Sequence, residues 1–147
     1  MQNRMRTVVL TVAIWMLLAA CGSSKDGGQP IVTVTSIPKG TGSYQTLTVD
    51  AFAGILAKGK SQYTIVNVHI PYEGEIEGTD AKIPYNDLNA LMAALPNKDA
   101  PIILYCRSGR MSQIASQALL DKGYTQVWDV PGGMIAWQAS GRSIVDK

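Results

Sequence analysis

The hydrophobic pattern of this chain changes period repeatedly after residue 45, and each change marks an element. Leu47-Thr48-Val49-Asp50 leads into a short helix over residues 51–58, in spite of Gly54. Tyr63-Thr64-Ile65-Val66-Asn67-Val68 is β-rich and continuous enough to be a central strand. Asn86 or Asp87 can cap a helix through Leu88, Leu91, Met92 and Leu95, a spacing that suits one buried face. Pro96-Asn97 ends it. Pro101-Ile102-Ile103-Leu104-Tyr105 predicts the next strand, and residues 113–120 an amphipathic helix stopped by Gly123. Residues 126–130 give another strand, and residues 134–140 a last helix closed by Gly141. Strands alternating with helices imply a single α/β domain over residues 45–147. Its central sheet is expected to be mostly parallel and flanked by helices on both faces.

Upstream the pattern is different. Met1-Gln2-Asn3-Arg4-Met5-Arg6 is basic, residues 7–18 are almost wholly apolar, and Leu18-Ala19-Ala20-Cys21 ends the run. A basic start, an apolar stretch too short to span a membrane comfortably, and small residues before a cut describe an export signal over residues 1–20. With Cys directly after Leu-Ala-Ala, the segment resembles the lipobox of bacterial lipoproteins. That resemblance implies cleavage before Cys21 and lipidation of Cys21. Acyl chains, at about 0.8 kcal/mol per buried CH₂, would hold the exported protein at the cell membrane. A plain signal peptide and an uncleaved anchor are the simpler alternatives. Residues 21–44 then comprise the lipidated Cys21 and a Gly-, Ser-, Thr-, Pro- and Lys-rich flexible linker, in which Ile31-Val32-Thr33-Val34 could add a short strand.

Charge excludes one class of partner. Thirteen basic and eleven acidic residues give +2, and loss of Arg4 and Arg6 with the signal would leave eleven of each. A neutral protein without a basic stripe does not suit nucleic-acid binding. Cysteine usage says more. The chain has two cysteines, and a lipid on Cys21 leaves Cys106 without a partner in a compartment that favours disulfides. An unpaired thiol there is a liability unless it is buried or used.

Its neighbours argue for use. Cys106-Arg107-Ser108-Gly109-Arg110-Met111-Ser112 lies between the strand ending at Tyr105 and the following helix. That order reads as strand, tight loop and helix, with the first helical turn pointing back at the thiol. Loop N–H groups and a helix N-terminus stabilise negative charge, and so favour the thiolate, the nucleophilic form. Arg107 and Arg110 strengthen the effect and can hold an anionic substrate. The bland alternative is a small buried residue at a strand end. A core Cys, however, does not require two arginines and a glycine around it.

These residues resemble the rhodanese family of sulfurtransferases. The segment from Tyr105 through Cys106 to Ser112 is similar to that family's active-site loop. Gly123-Tyr124, Val127, Gly132-Gly133-Met134-Ile135-Ala136-Trp137 and Gly141 are similar to its C-terminal strand-to-helix segment. Ile65-Val66-Asn67-Val68 stands where its second strand leads into a loop of the catalytic domain. The resemblance spans residues 47–145. It implies that Cys106 takes the outer sulfur of a donor such as thiosulfate as a persulfide and passes it to a thiol or cyanide. Arg107, Ser108, Gly109, Arg110 and Met111 would form the substrate-binding loop. No metal or cofactor is implied. The implied partners are a small anionic or thiol donor and acceptor, and the protein is expected to be monomeric. A related phosphatase loop, Cys followed by five residues and Arg, would need Arg where Ser112 stands, so phosphatase or arsenate reductase chemistry is disfavoured.

The chain also departs from that family. Where Asp-Val-Arg is common it has Asn67-Val68-His69, and where Gly-His-Ile-Pro-Gly-Ala is common it reads Gly74-Glu75-Ile76-Glu77-Gly78-Thr79. Glu73, Glu75, Glu77 and Asp80 make an acidic loop that would repel dianionic thiosulfate if it approached the site. Four carboxylates could suit a hard cation such as calcium, but a solvated acidic loop is the simpler expectation. His69, the only histidine, could protonate a leaving thiol, although a lone His at a strand end is more often structural. Two readings stay open: a membrane-tethered sulfurtransferase, and a non-catalytic rhodanese-like module that binds an anion or a partner thiol.

Overall fold

The computed structural model describes residues 32–34, 43–60 and 62–146. The expected export signal, Cys21 and most of the linker lie outside the described residues. Ten elements follow in order: β1 (Val32–Val34), β2 (Gln45–Leu47), α1 (Val49–Ala57), β3 (Thr64–Asn67), β4 (Ala81–Lys82), α2 (Leu88–Ala94), β5 (Ile102–Tyr105), α3 (Arg110–Asp121), β6 (Val127–Asp129) and α4 (Gly133–Ala139). The strands form one sheet in the order β1-β2-β6-β5-β3-β4. Five are parallel, and β1 pairs antiparallel with β2 at the edge. The short strand that the linker's pattern allows therefore extends the sheet by one.

Local chemistry sets where the helices begin. The Thr48 side chain accepts the Ala51 N–H at 3.1 Å and caps α1. Asp87, rather than Asn86, accepts the Ala90 N–H at 2.9 Å and caps α2. These bonds satisfy donors that the first turn leaves open. Helix α3 begins at Arg110, earlier than the amphipathic run suggested, because Gly109 turns the chain in a left-handed conformation at φ +97°. Arg110 and Met111 are therefore helical.

Alternate residues of β5 serve different layers. Ile102 and Leu104 join Val66 and Val68 under α2 and α3, against Leu91, Leu95, Ala115 and Leu119. Ile103 and Tyr105 join Ile65 on the other face, against Phe52 of α1 and Met134 and Trp137 of α4. A strand covered on both faces needs no polar side, which explains why 102–105 reads as an unbroken apolar run.

Chain direction diverges at the centre of the sheet. After β3 the chain moves outward to β4, and after β5 it crosses through α3 to β6. Strands β3 and β5 are neighbours, with Asn67 opposite Tyr105. The segments leaving their carboxyl ends part there, and an open α/β sheet binds ligands in the crevice so formed.

Phe52 ties the lower layer together, fully buried with its ring 6.1 Å from Tyr105 and 5.7 Å from Trp137. Phe52→Ala is expected to cost about 3–5 kcal/mol in urea unfolding. A loss below about 1 kcal/mol would show that this layer does not carry the fold.

Candidate active site

Cys106 stands at the carboxyl end of β5, one residue past Tyr105, and only 1% of it is exposed. Its Sγ accepts the Gly109 N–H at 3.1 Å. The Ser112 hydroxyl lies 3.6 Å from the same sulfur and donates to the Gly109 carbonyl at 3.0 Å, which ties the first turn of α3 to the loop.

The loop holds this shape because α4 grips it from the opposite side. The Met134 N–H donates to the Cys106 carbonyl and the Ile135 N–H to the Arg107 carbonyl, both at 3.0 Å. In a trans peptide the C=O and the following N–H point in opposite directions. Drawing both carbonyls toward α4 therefore turns the Arg107 and Ser108 N–H groups away from it. The grip demands glycine at residue 133, where a Cβ would fall 2.0 Å from the Cys106 carbonyl oxygen. Gly132-Gly133 is thus the seat of the Cys106 loop.

A second wall comes from the segment after β3. Asn67 Oδ1 accepts the His69 N–H and Asn67 Nδ2 donates to the Gly74 carbonyl, both at 3.0 Å. A carboxylate there could accept the first bond but could not donate the second. Glu75 exchanges two 2.8 Å backbone bonds with Val145. The Ile76 N–H donates to the Tyr105 hydroxyl at 2.9 Å, and burial pushes that phenol up to about 12. Between these anchors Glu73 reaches the loop, its Oε2 2.9 Å from Arg107 Nε and 3.6 Å from His69 Nε2.

The acidic segment is thus not one solvated face. Glu75 is buried, and Asp80 accepts the Ile65 N–H at 2.9 Å and pairs with Lys60. Glu77 is exposed, and Glu73 pairs with Arg107 of the loop. Among the described residues no cluster of three His, Cys, Asp or Glu side chains could hold a metal ion. Of the expected loop residues, Arg107, Ser108 and Arg110 are exposed and Gly109 is buried. Met111 is half-buried and packs against the core beneath α2 and α3.

Sequence reasoning missed Asp129. It ends β6 on the α3 side of the sheet, is fully buried, and neither carboxylate oxygen accepts a hydrogen bond. Burial pushes its carboxyl up to about 6, although Ser112, Gln113 and the Val130 N–H lie near enough to favour the charge. The residue read as one more position in a strand, and nothing in the one-dimensional pattern placed it beside Ser112.

The profile of the Rhodanese-like domain family matches residues 60–140, more than half of the 147. The chain belongs to the rhodanese-like family. A sulfurtransferase of Allochromatium vinosum is 38% identical over 64 residues, which cover 44% of this chain and 59% of that protein. The thiosulfate sulfurtransferase GlpE of Pseudoalteromonas translucida is 32% identical over 50% of this chain and 69% of its own length. A Rhodanese-like domain protein from Staphylococcus aureus superposes with a TM-score of 0.57 at 26% identity, covering 69% of this chain and 98% of that one. A Rhodopseudomonas palustris protein described as a possible tyrosine phosphatase gives 0.61 at 24% identity, over 68% of this chain and 83% of that one, a likeness of fold alone.

Asp129 gives this rhodanese-like domain a pH-dependent stability. Between about pH 4 and about pH 6 the folded state keeps a proton that the unfolded chain has lost, so stability falls as pH rises through that window and levels above it. The ionised group costs up to about 3 kcal/mol at neutral pH. Asp129→Asn should therefore raise Tm at pH 7 and flatten the slope between pH 4 and 6. An unchanged slope would mean that Asp129 is solvated in the folded protein.

Proposed function

We propose that this protein is a sulfurtransferase that carries sulfur as a persulfide on Cys106. The observation that supports it most is the Gly109 N–H held on Sγ by a loop whose carbonyls are engaged elsewhere. A persulfide's terminal sulfur is anionic, and N–H donors fixed before it arrives stabilise it without reorganisation. The Cys106 thiolate attacks the outer sulfur of the donor, the S–S bond of the donor breaks, and its electron pair leaves with sulfite or a thiolate. An acceptor thiol or cyanide then attacks the terminal sulfur and returns Cys106 to the thiolate. Arg107 and Arg110, both exposed in the segment that follows Cys106, supply positive charge for an anionic donor, with Ser108, Gly109 and Met111 completing the loop. The names carried by the relatives, sulfurtransferase and thiosulfate sulfurtransferase, agree with this reading.

The proposal extends to location. Basic residues 1–6, the apolar run and Leu18-Ala19-Ala20-Cys21 support export and lipidation at Cys21, which would tether the domain outside the cytoplasm on a flexible linker.

Two measurements check these points. In full-length, detergent-solubilised Cys21→Ser protein, Cys106 is the one remaining thiol. Incubation with a sulfane donor should add one sulfur atom to the intact mass, and cyanide should remove it as thiocyanate. Cys106→Ser should show neither, and a folded, reduced protein that gains no mass with any donor would rule out the carrier role. In cells, Cys21→Ser should abolish acyl labelling and leave a full-length precursor. Normal labelling would refute the anchor.

A further inference from the structure

Glu73 is placed to choose among donors. It lies in a segment fixed on one side by Asn67, which binds the His69 N–H and the Gly74 carbonyl, and on the other by the paired backbone bonds of Glu75 and Val145. Its half-exposed carboxylate stands against the Cys106 loop. There it meets Arg107 at 2.9 Å, and His69 Nε2 closes on the same oxygen at 3.6 Å. Such a half-exposed pair contributes little to stability. Its effect on a charged substrate is another matter, because the arginine next to the nucleophile is already neutralised and a negative charge stands beside it.

We infer that Glu73 is a specificity-determining residue that disfavours doubly charged sulfur donors relative to singly charged ones, by occupying Arg107 at the entrance to Cys106. The inference rests on the reading of Cys106 as a sulfur carrier and adds the charge class of its donor. Thiosulfate, with two negative charges, must displace or face the carboxylate. An organic thiosulfonate offers the same outer sulfur with one charge fewer. Both react alike: the Cys106 thiolate forms the new S–S bond, the donor's S–S bond breaks, and the electron pair leaves on sulfite or on a sulfinate. No oxidant or reductant is required, and the persulfide keeps the negative charge of the attacking thiolate.

The test compares persulfide formation from thiosulfate and from methanethiosulfonate, followed by intact mass on the full chain. Glu73→Gln removes the charge at nearly constant shape. At low ionic strength it should raise the kcat/KM of loading about fivefold with thiosulfate and about twofold with methanethiosulfonate. Salt near 1 M, where the screening length falls to about 3 Å, should erase most of both gains. Glu73→Ser should reproduce the change in preference, which guards against an effect peculiar to glutamine. In an Arg107→Gln background the Glu73→Gln gain for thiosulfate should shrink, because the clamp acts through Arg107. Equal gains for the two donors, or none while wild type still loads, would overturn the inference and leave the carrier reading standing. Failure of the wild type to load from either donor would overturn both.

Discussion

Two hydrogen bonds from the start of α4, one to the Cys106 carbonyl and one to the Arg107 carbonyl, fix the part of this protein on which its chemistry rests. Each is an ordinary bond, worth about 1 kcal/mol net. Their importance is directional, since they draw the Cys106 and Arg107 carbonyls toward α4 in the loop whose Gly109 N–H donates to the thiol sulfur. The close approach they require tolerates only Gly at residue 133. The sheet supplies the rest of the constraint, because β5 is buried on both faces and β6 delivers α4 to the same end. Packing in the core thereby holds the Gly109 N–H and the Ser112 hydroxyl at one sulfur.

Much of the architecture was legible in the sequence because burial writes itself into periodicity. The central strands read as continuous apolar runs, and Asp87 was one of the two caps offered for α2, while the Thr48 cap of α1 was not read. Strand β4 was not legible, since two residues carry no period and pairing with β3 alone makes them a strand. The α3 boundary was misplaced because Gly109 starts the helix through its backbone conformation and not through a side-chain cap. Gly132-Gly133 stood out as part of the family-like C-terminal segment, but the contact of Gly133 with the Cys106 carbonyl, distant in sequence, has no local signature. The charge map was hardest to read. Four carboxylates adjacent in sequence have separate environments in space, and Asp129 gave no sign of its burial beside Ser112.

Departures from the usual family residues make physical sense once the contacts are known. Asn67 both accepts and donates, so it can fasten the segment after β3 at two points where an aspartate could fasten one. That fastening presents Glu73 to Arg107. On the proposed reading, the fold that would cradle an anionic persulfide also carries, beside Arg107, a carboxylate that would reduce the site's pull on anionic donors.

The central claim, that the loop's N–H groups hold negative charge on the Cys106 sulfur, is tested most directly by following the Gly109 amide with ¹H–¹⁵N NMR as Cys106 ionises or accepts sulfur. The account predicts a downfield movement of the Gly109 amide proton that follows the charge on sulfur and disappears in Cys106→Ser, while the Leu104 amide, inside the strand, hardly moves. A Gly109 amide that ignores both ionisation and sulfur loading would contradict it.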